Sequence, residues 1–167
     1  AVRWAQVGPV SFPLNPRFKA KELGHVISNA DMTFLIASDS LLEMPDVLGM
    51  LEETLPSLVS GQGPELALEE APLLRRVVMN GETPRDYLVK FSALLDIANT
   101  VPDEAVLHRR ASVAIRDTAI IMYTSGTTAN PKGVMLPHEA LVRHGLQHAH
   151  ARVALPETRP CWSALPP

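Results

Sequence analysis

Short continuous apolar runs alternate along this chain with segments whose apolar residues recur every three or four positions. That alternation constrains the fold more than any other feature. A continuous run suits a strand covered on both faces, and the three-to-four spacing suits an amphipathic helix. The run Met32-Thr33-Phe34-Leu35-Ile36-Ala37, ended by Ser38-Asp39-Ser40, predicts a buried strand. Residues 75–79, closed by Asn80-Gly81, predict another, and residues 118–123 a third. Residues 10–14 give a shorter one, and Pro13, with no N–H to donate, places it at a sheet edge. Helices are predicted over 19–29 through Leu23, Val26 and Ile27, and over 46–60 through Val47, Leu51, Leu55 and Leu58. Two more are predicted: 84–98, with Pro84 in the first turn, and 138–153 through Val142, Leu146, Ala149 and Val153. Residues 61–72 and 99–116 read as irregular. This order argues for an α/β fold, a mostly parallel sheet flanked by helices.

Composition excludes several function classes. The 167 residues carry a formal net charge of −3 and are 46% hydrophobic, which suits one packed domain or a piece of one and not a disordered chain. No basic stripe suggests nucleic acid. No apolar run approaches the roughly 20 residues of a membrane span. Cys161 is the only cysteine, so no intrachain disulfide can form, and a cytoplasmic location is expected; Cys161 itself reads as a small packed side chain. Glu43, Asp46, Glu52, Glu53, Glu65, Glu69 and Glu70 read as a solvated acidic face, and Arg17, Lys19 and Lys21 as a solvated helix start. His144, His148 and His150 lie close in sequence, but His138-Glu139 is followed by Val142 where an H-E-x-x-H motif needs its second histidine, so zinc is not expected. His138 reads as a helix-start residue.

The chemistry concentrates after the strand at 118–123. Thr124, Ser125, Thr127 and Thr128 supply hydroxyls, and Gly126 permits a tight turn and close approach of the backbone to a ligand. Successive backbone N–H groups in such a turn form a concave nest for anions. Lys132 adds a point charge suited to phosphate, and Gly133 follows it. The bland alternative is a polar turn with a solvated lysine. Hydroxyls, glycine, Pro131-Lys132-Gly133 and an apolar strand in one order favour a triphosphate cradle instead. Residues 133–136 read as a second short strand, which makes the run the tip of a hairpin. The G-x-x-x-x-G-K-[ST] pattern of P-loop NTPases does not fit, since Pro131 precedes Lys132 and Gly133 follows it.

Ile121-Met122-Tyr123-Thr124-Ser125-Gly126-Thr127-Thr128, then Pro131-Lys132-Gly133-Val134, resembles the AMP-binding signature of the adenylate-forming superfamily, which includes acyl-CoA synthetases, aryl-CoA ligases, luciferase and the adenylation domains of peptide synthetases. Met135-Leu136-Pro137-His138-Glu139, the upstream Pro13-Leu14-Asn15-Pro16-Arg17-Phe18 with Glu22-Leu23, and Val101-Pro102-Asp103-Glu104 with Asp117 extend the resemblance, with gaps, over nearly the whole chain. Thr127-Thr128 tilts it toward acyl-CoA synthetases. Ala129 stands where the family usually has glycine, and would cost roughly 1 kcal/mol if its φ were positive.

The resemblance implies a partial AMP-binding domain over residues 1–167, cut at both ends and without a second domain. It implies activation of a carboxylic acid, fatty or aryl, by ATP with Mg²⁺, followed by transfer to coenzyme A. It assigns Thr124, Ser125, Gly126, Thr127, Thr128, Lys132 and Gly133 to the phosphates, with Lys132 and Thr128 catalytic and no metal ligand on the chain. The adenine, ribose, Mg²⁺ and late lysine motifs are expected beyond Pro167, so the 167 residues alone are expected not to adenylate. Two rivals remain: a nucleotide-binding module without catalysis, and an adenylating enzyme that loads a carrier protein. A fatty-acid substrate would bring peripheral membrane contact.

Overall fold

A computed structural model of the chain describes residues 6–39, 46–60, 63–81, 85–124 and 130–153, the last five by backbone alone. The element order is α1 (Ala20–Asn29), β1 (Phe34–Ser38), α2 (Val47–Thr54), α3 (Ser57–Ser60), β2 (Arg76–Asn80), β3 (Leu88–Lys90), α4 (Phe91–Ala98), α5 (Asp103–Ala111), β4 (Thr118–Thr124), β5 (Lys132–Pro137) and α6 (His138–Val153). Strands β1, β2 and β3 form a parallel sheet in that order, with Phe34 opposite Arg76 and Val77 opposite Leu88. Strands β4 and β5 form an antiparallel hairpin. The expected α/β class, with a parallel sheet and flanking helices, is the one found.

Helix α1 starts where Glu22 accepts a hydrogen bond from the Lys19 N–H at 3.0 Å, the acidic half of a capping box. Its apolar face buries Leu23, Val26 and Ile27. Helix α2 starts at Asp46, whose carboxylate accepts from the Gly49 N–H at 2.8 Å. Leu35, Leu51, Leu58, Leu74, Val77 and Met79 join that face in one core, and Tyr87 closes it.

Several expectations need correction. The single helix over 46–60 breaks into α2 and α3, because Pro56 offers no N–H and pushes Leu55 out of the helical region, to φ −130 and ψ 74. Leu55 and Leu58 are buried all the same, so the face is right and the continuity wrong. The helix over 84–98 begins only at Phe91. Residues 88–90 pair with β2 instead, since a parallel neighbour satisfies their backbone and Leu88 and Val89 suit a strand; Pro84 lies outside the described residues. The irregular stretch 99–116 contains α5, with Asp103 and Glu104 in its first turn and His108, Arg109 and Arg110 in its last, as the helix dipole favours. Strand β1 is covered on one face only, with Phe34 55% and Ile36 48% exposed. Residues 10–14 make no strand beyond one parallel bridge, Ser11 to Ile120.

The acidic face is not simply solvated. Asp46 caps α2, Glu65 pairs with Arg76 at 2.8 Å, Glu70 accepts from the Ser57 N–H at 3.1 Å, and Glu52 accepts from Tyr87 at 2.7 Å and from Arg85 at 2.9 Å. The Tyr87 hydroxyl and then Arg85 hold the Glu52 carboxyl below the usual carboxylate range. Burial, then that carboxylate, pushes the Tyr87 phenol up to about 12. Glu43 and Cys161 lie outside the described residues.

Candidate functional site

Strand β4 carries Ala119 fully buried, with Ile121 and Tyr123 half-buried and Met122 and Thr124 exposed. The alternation turns every second side chain inward. Its N-terminal half is held from outside the hairpin: the Ser11 N–H donates to the Ala119 carbonyl and the Ile121 N–H to the Ser11 carbonyl, both at 2.9 Å. The same end is held where the chain enters β4 and leaves β5 for α6. The Asp117 carboxylate accepts from the Ala114 N–H at 2.8 Å, and the Asp117 carbonyl accepts from the His138 N–H at 3.1 Å. His138 is thus the first residue of α6, as expected.

The hairpin pairs Tyr123 with Gly133 and Thr124 with Lys132. Thr124 and Lys132 are therefore opposite one another at its tip, where the strands join, and both are exposed. The Thr124 hydroxyl lies 3.5 Å from the Lys132 carbonyl, a contact at the outer limit of a hydrogen bond. That leaves the hydroxyl available to a stronger acceptor. Gly133 is needed for space: a Cβ there would meet Ile121 Cγ2 at 2.9 Å and Tyr123 Cζ at 3.2 Å. The hairpin register thus brings Thr124, Lys132 and Gly133 together. Ser125, Gly126, Thr127, Thr128 and Ala129 lie outside the described residues.

Two side chains that the sequence did not flag contact this end of the hairpin. His25 Nε2 is 3.2 Å from the carbonyl of Pro131, which is itself buried. The Tyr123 hydroxyl donates to Asn29 Oδ1 at 2.7 Å. Burial, and then the charge of Asp31, raises the Tyr123 phenol above its ordinary range, so it stays protonated and a donor. The usable signal was the spacing of His25 and Asn29, four apart on one helix.

Of the α6 histidines named from the sequence, the side chain of His150 lies outside the described residues. His144 and His148 meet edge to face with ring centroids 4.3 Å apart. Among the described residues no three His, Cys, Asp or Glu side chains are grouped as a metal would need. No helix among them is long and apolar enough to cross a membrane.

The family profile described as AMP-binding enzyme matches residues 4–167. The chain belongs to the AMP-binding enzyme family. Within that family it is 30% identical over 160 residues to YngI, a candidate acyl-CoA synthetase of Bacillus subtilis, covering 94% of this chain and 28% of that protein. It is 28% identical over 140 residues to a long-chain-fatty-acid–CoA ligase of Thermus thermophilus, covering 84% of this chain and 21% of the ligase. This member of the family therefore spans less than a third of either relative. Its fold matches the crystal structure of a candidate long-chain-fatty-acid CoA ligase from Rhodopseudomonas palustris, with a TM-score of 0.58 at 16% identity over 87% of this chain and 30% of that one.

Proposed function

We propose that this chain supplies the phosphate-gripping part of an enzyme that activates a carboxylic acid as an acyl adenylate and passes the acyl group to coenzyme A. One observation carries the reading: an exposed hydroxyl-bearing residue, Thr124, and an exposed lysine, Lys132, pair opposite one another at the tip of a hairpin. Hydroxyl and ammonium donors suit phosphate oxygens, and neither could act as a general base on an acid. The curated relatives' names, an acyl-CoA synthetase and a fatty-acid–CoA ligase, support the substrate class and the acceptor.

In the proposed reaction a carboxylate oxygen attacks the α-phosphorus of ATP. The bond from that phosphorus to the bridging oxygen breaks, and pyrophosphate leaves with the electron pair. Negative charge grows on the departing group, so catalysis is positioning and charge stabilisation. Lys132 and Thr128 would meet that charge directly. Thr124, Ser125 and Thr127 would bind the β- and γ-phosphates alongside them, with Gly126 and Gly133 giving the backbone its close approach. None of these residues carries a carboxylate, so Mg²⁺ would arrive with the nucleotide and supply further neutralisation of phosphate charge beside Lys132. Coenzyme A would supply the thiol that displaces AMP.

The test is acid-dependent ATP–pyrophosphate exchange by the full-length protein, with a panel of fatty and aryl acids. Exchange is expected with at least one acid, and Lys132→Ala should weaken Mg-ATP use more than acid binding. Tight Mg-ATP binding without exchange for any acid would favour a nucleotide-binding module. Acyl transfer to a carrier protein and not to coenzyme A would replace the acceptor.

A further inference from the structure

The hairpin that offers Thr124 and Lys132 is fastened at both of its arms to one face of α1. His25 and Asn29 are four residues apart on that helix, and so share a face. The acceptor of the His25 contact is a carbonyl, which cannot donate, so His25 Nε2 carries the hydrogen and donates to the Pro131 carbonyl at 3.2 Å. Pro131 immediately precedes Lys132. On the other arm, Tyr123 immediately precedes Thr124 and donates to Asn29 Oδ1 at 2.7 Å. These contacts join residues 106 and 94 positions apart. Helix α1 is a firm base for them, because Leu23, Val26 and Ile27 are all buried in the core. Gly133 leaves room for the Tyr123 ring beside it, so the glycine also serves this connection.

We propose that His25 and Asn29 are positioning residues that set the separation of the Thr124 hydroxyl and the Lys132 ammonium through Pro131 and Tyr123. The proposal rests on reading the hairpin as a phosphate grip. The His25 contact is half-buried and the Asn29 contact exposed, so His25 carries the larger share. A positioning role predicts a specific pattern: ATP binding suffers while the core and the acid site do not.

The test uses the full-length protein with His25→Phe, which fills the space without the donor, His25→Gln, which keeps an N–H, and Asn29→Leu. Amide hydrogen exchange is read over residues 121–124 and 132–135, with β1 and β2 as the internal control, and the Kd of Mg-ATP is measured in parallel. His25→Phe should accelerate exchange in the hairpin roughly threefold to tenfold, the scale of one net hydrogen bond, and raise the Kd by a similar factor. Asn29→Leu should do less, and His25→Gln should stay within about twofold of wild type. The KM for the carboxylic acid should not move. Unchanged hairpin exchange in His25→Phe overturns the proposal. So does equal acceleration in β1 and β2, which would mark a merely structural residue. Should wild type bind no Mg-ATP, the phosphate reading falls, and the exchange data alone decide whether α1 holds the hairpin.

Discussion

Residues 18–88 and residues 91–153 are built on different terms. The first stretch holds nearly the whole core: Val26, Leu58, Leu74 and Val77 are fully buried, and three helices and three strands close around them. In the second, α4 and α5 bury nothing, and of the hydrophobic side chains described there only Ala119 is fully enclosed. Leu107 is 59% exposed and Met135 67%. Yet the second stretch carries Thr124, Lys132 and Gly133. The lesson is a division between where stability resides and where binding chemistry is displayed. The hairpin takes its firmness from Ser11, from the partial packing of Tyr123 on the core, and from His25.

The sharpest way to break this comparison is to cut into the core. Leu58→Ala should cost about 2–5 kcal/mol in urea unfolding, the range for emptying a fully buried leucine site. Gly133→Ala comes next. Its methyl would lie 2.9 Å from Ile121 Cγ2, so a loss of about 1–3 kcal/mol is expected, with the damage seen first in the nuclear magnetic resonances of β4 and β5. Lys132→Ala should leave the unfolding midpoint in place but raise the Kd for Mg-ATP about tenfold or more, as loss of a charged hydrogen bond does. A shifted midpoint with unchanged Kd would reverse the division drawn above.

Tyr87→Phe should cost about 1 kcal/mol and alter the pH dependence of unfolding at both extremes. The folded phenol titrates about 12 against an ordinary 10, so its contribution is present below pH 10 and is lost as pH rises toward 12. Tyr123 is also raised, so it shares that alkaline loss and Phe at 87 should remove only part of it. Glu52 is shifted down, so its contribution is present above its ordinary 4.5 and is lost as pH falls through the depressed value. Without the Tyr87 hydroxyl that acid loss should be smaller and be complete at a higher pH. The smallest effect belongs to Leu107→Ala, which should fall within about 0.5 kcal/mol of wild type.

What the sequence conveyed follows the same division. Elements of the core were legible because burial imposes a period: Leu23, Val26 and Ile27 marked α1, and the apolar runs marked β1 and β2. The hairpin and α6 were legible from an apolar strand, a turn-rich run and a helical stripe in sequence. The misreadings arose where one signal outweighed another. Apolar spacing alone ran a helix through Pro56, and it made a helix of residues 88–90, whose edge β2 could use. Helix α5 has little apolar pattern and declares itself by charge at its ends. For the site, residue types told which side chains could grip phosphate. Residue type did not reveal His25 and Asn29: their partners lie about a hundred residues away, and their four-residue spacing on α1 says only that they share a face.

Strand β5 has a further consequence. It pairs with β4 on one side, and among the described residues nothing pairs with its other side. Among those residues its outer row of N–H and C=O groups is left as a template for another strand, and Val134 and Met135 add sticky apolar surface beside it. Handled on its own, this chain should therefore self-associate through that edge as its concentration rises, and a lysine placed at Met135 should keep it dispersed.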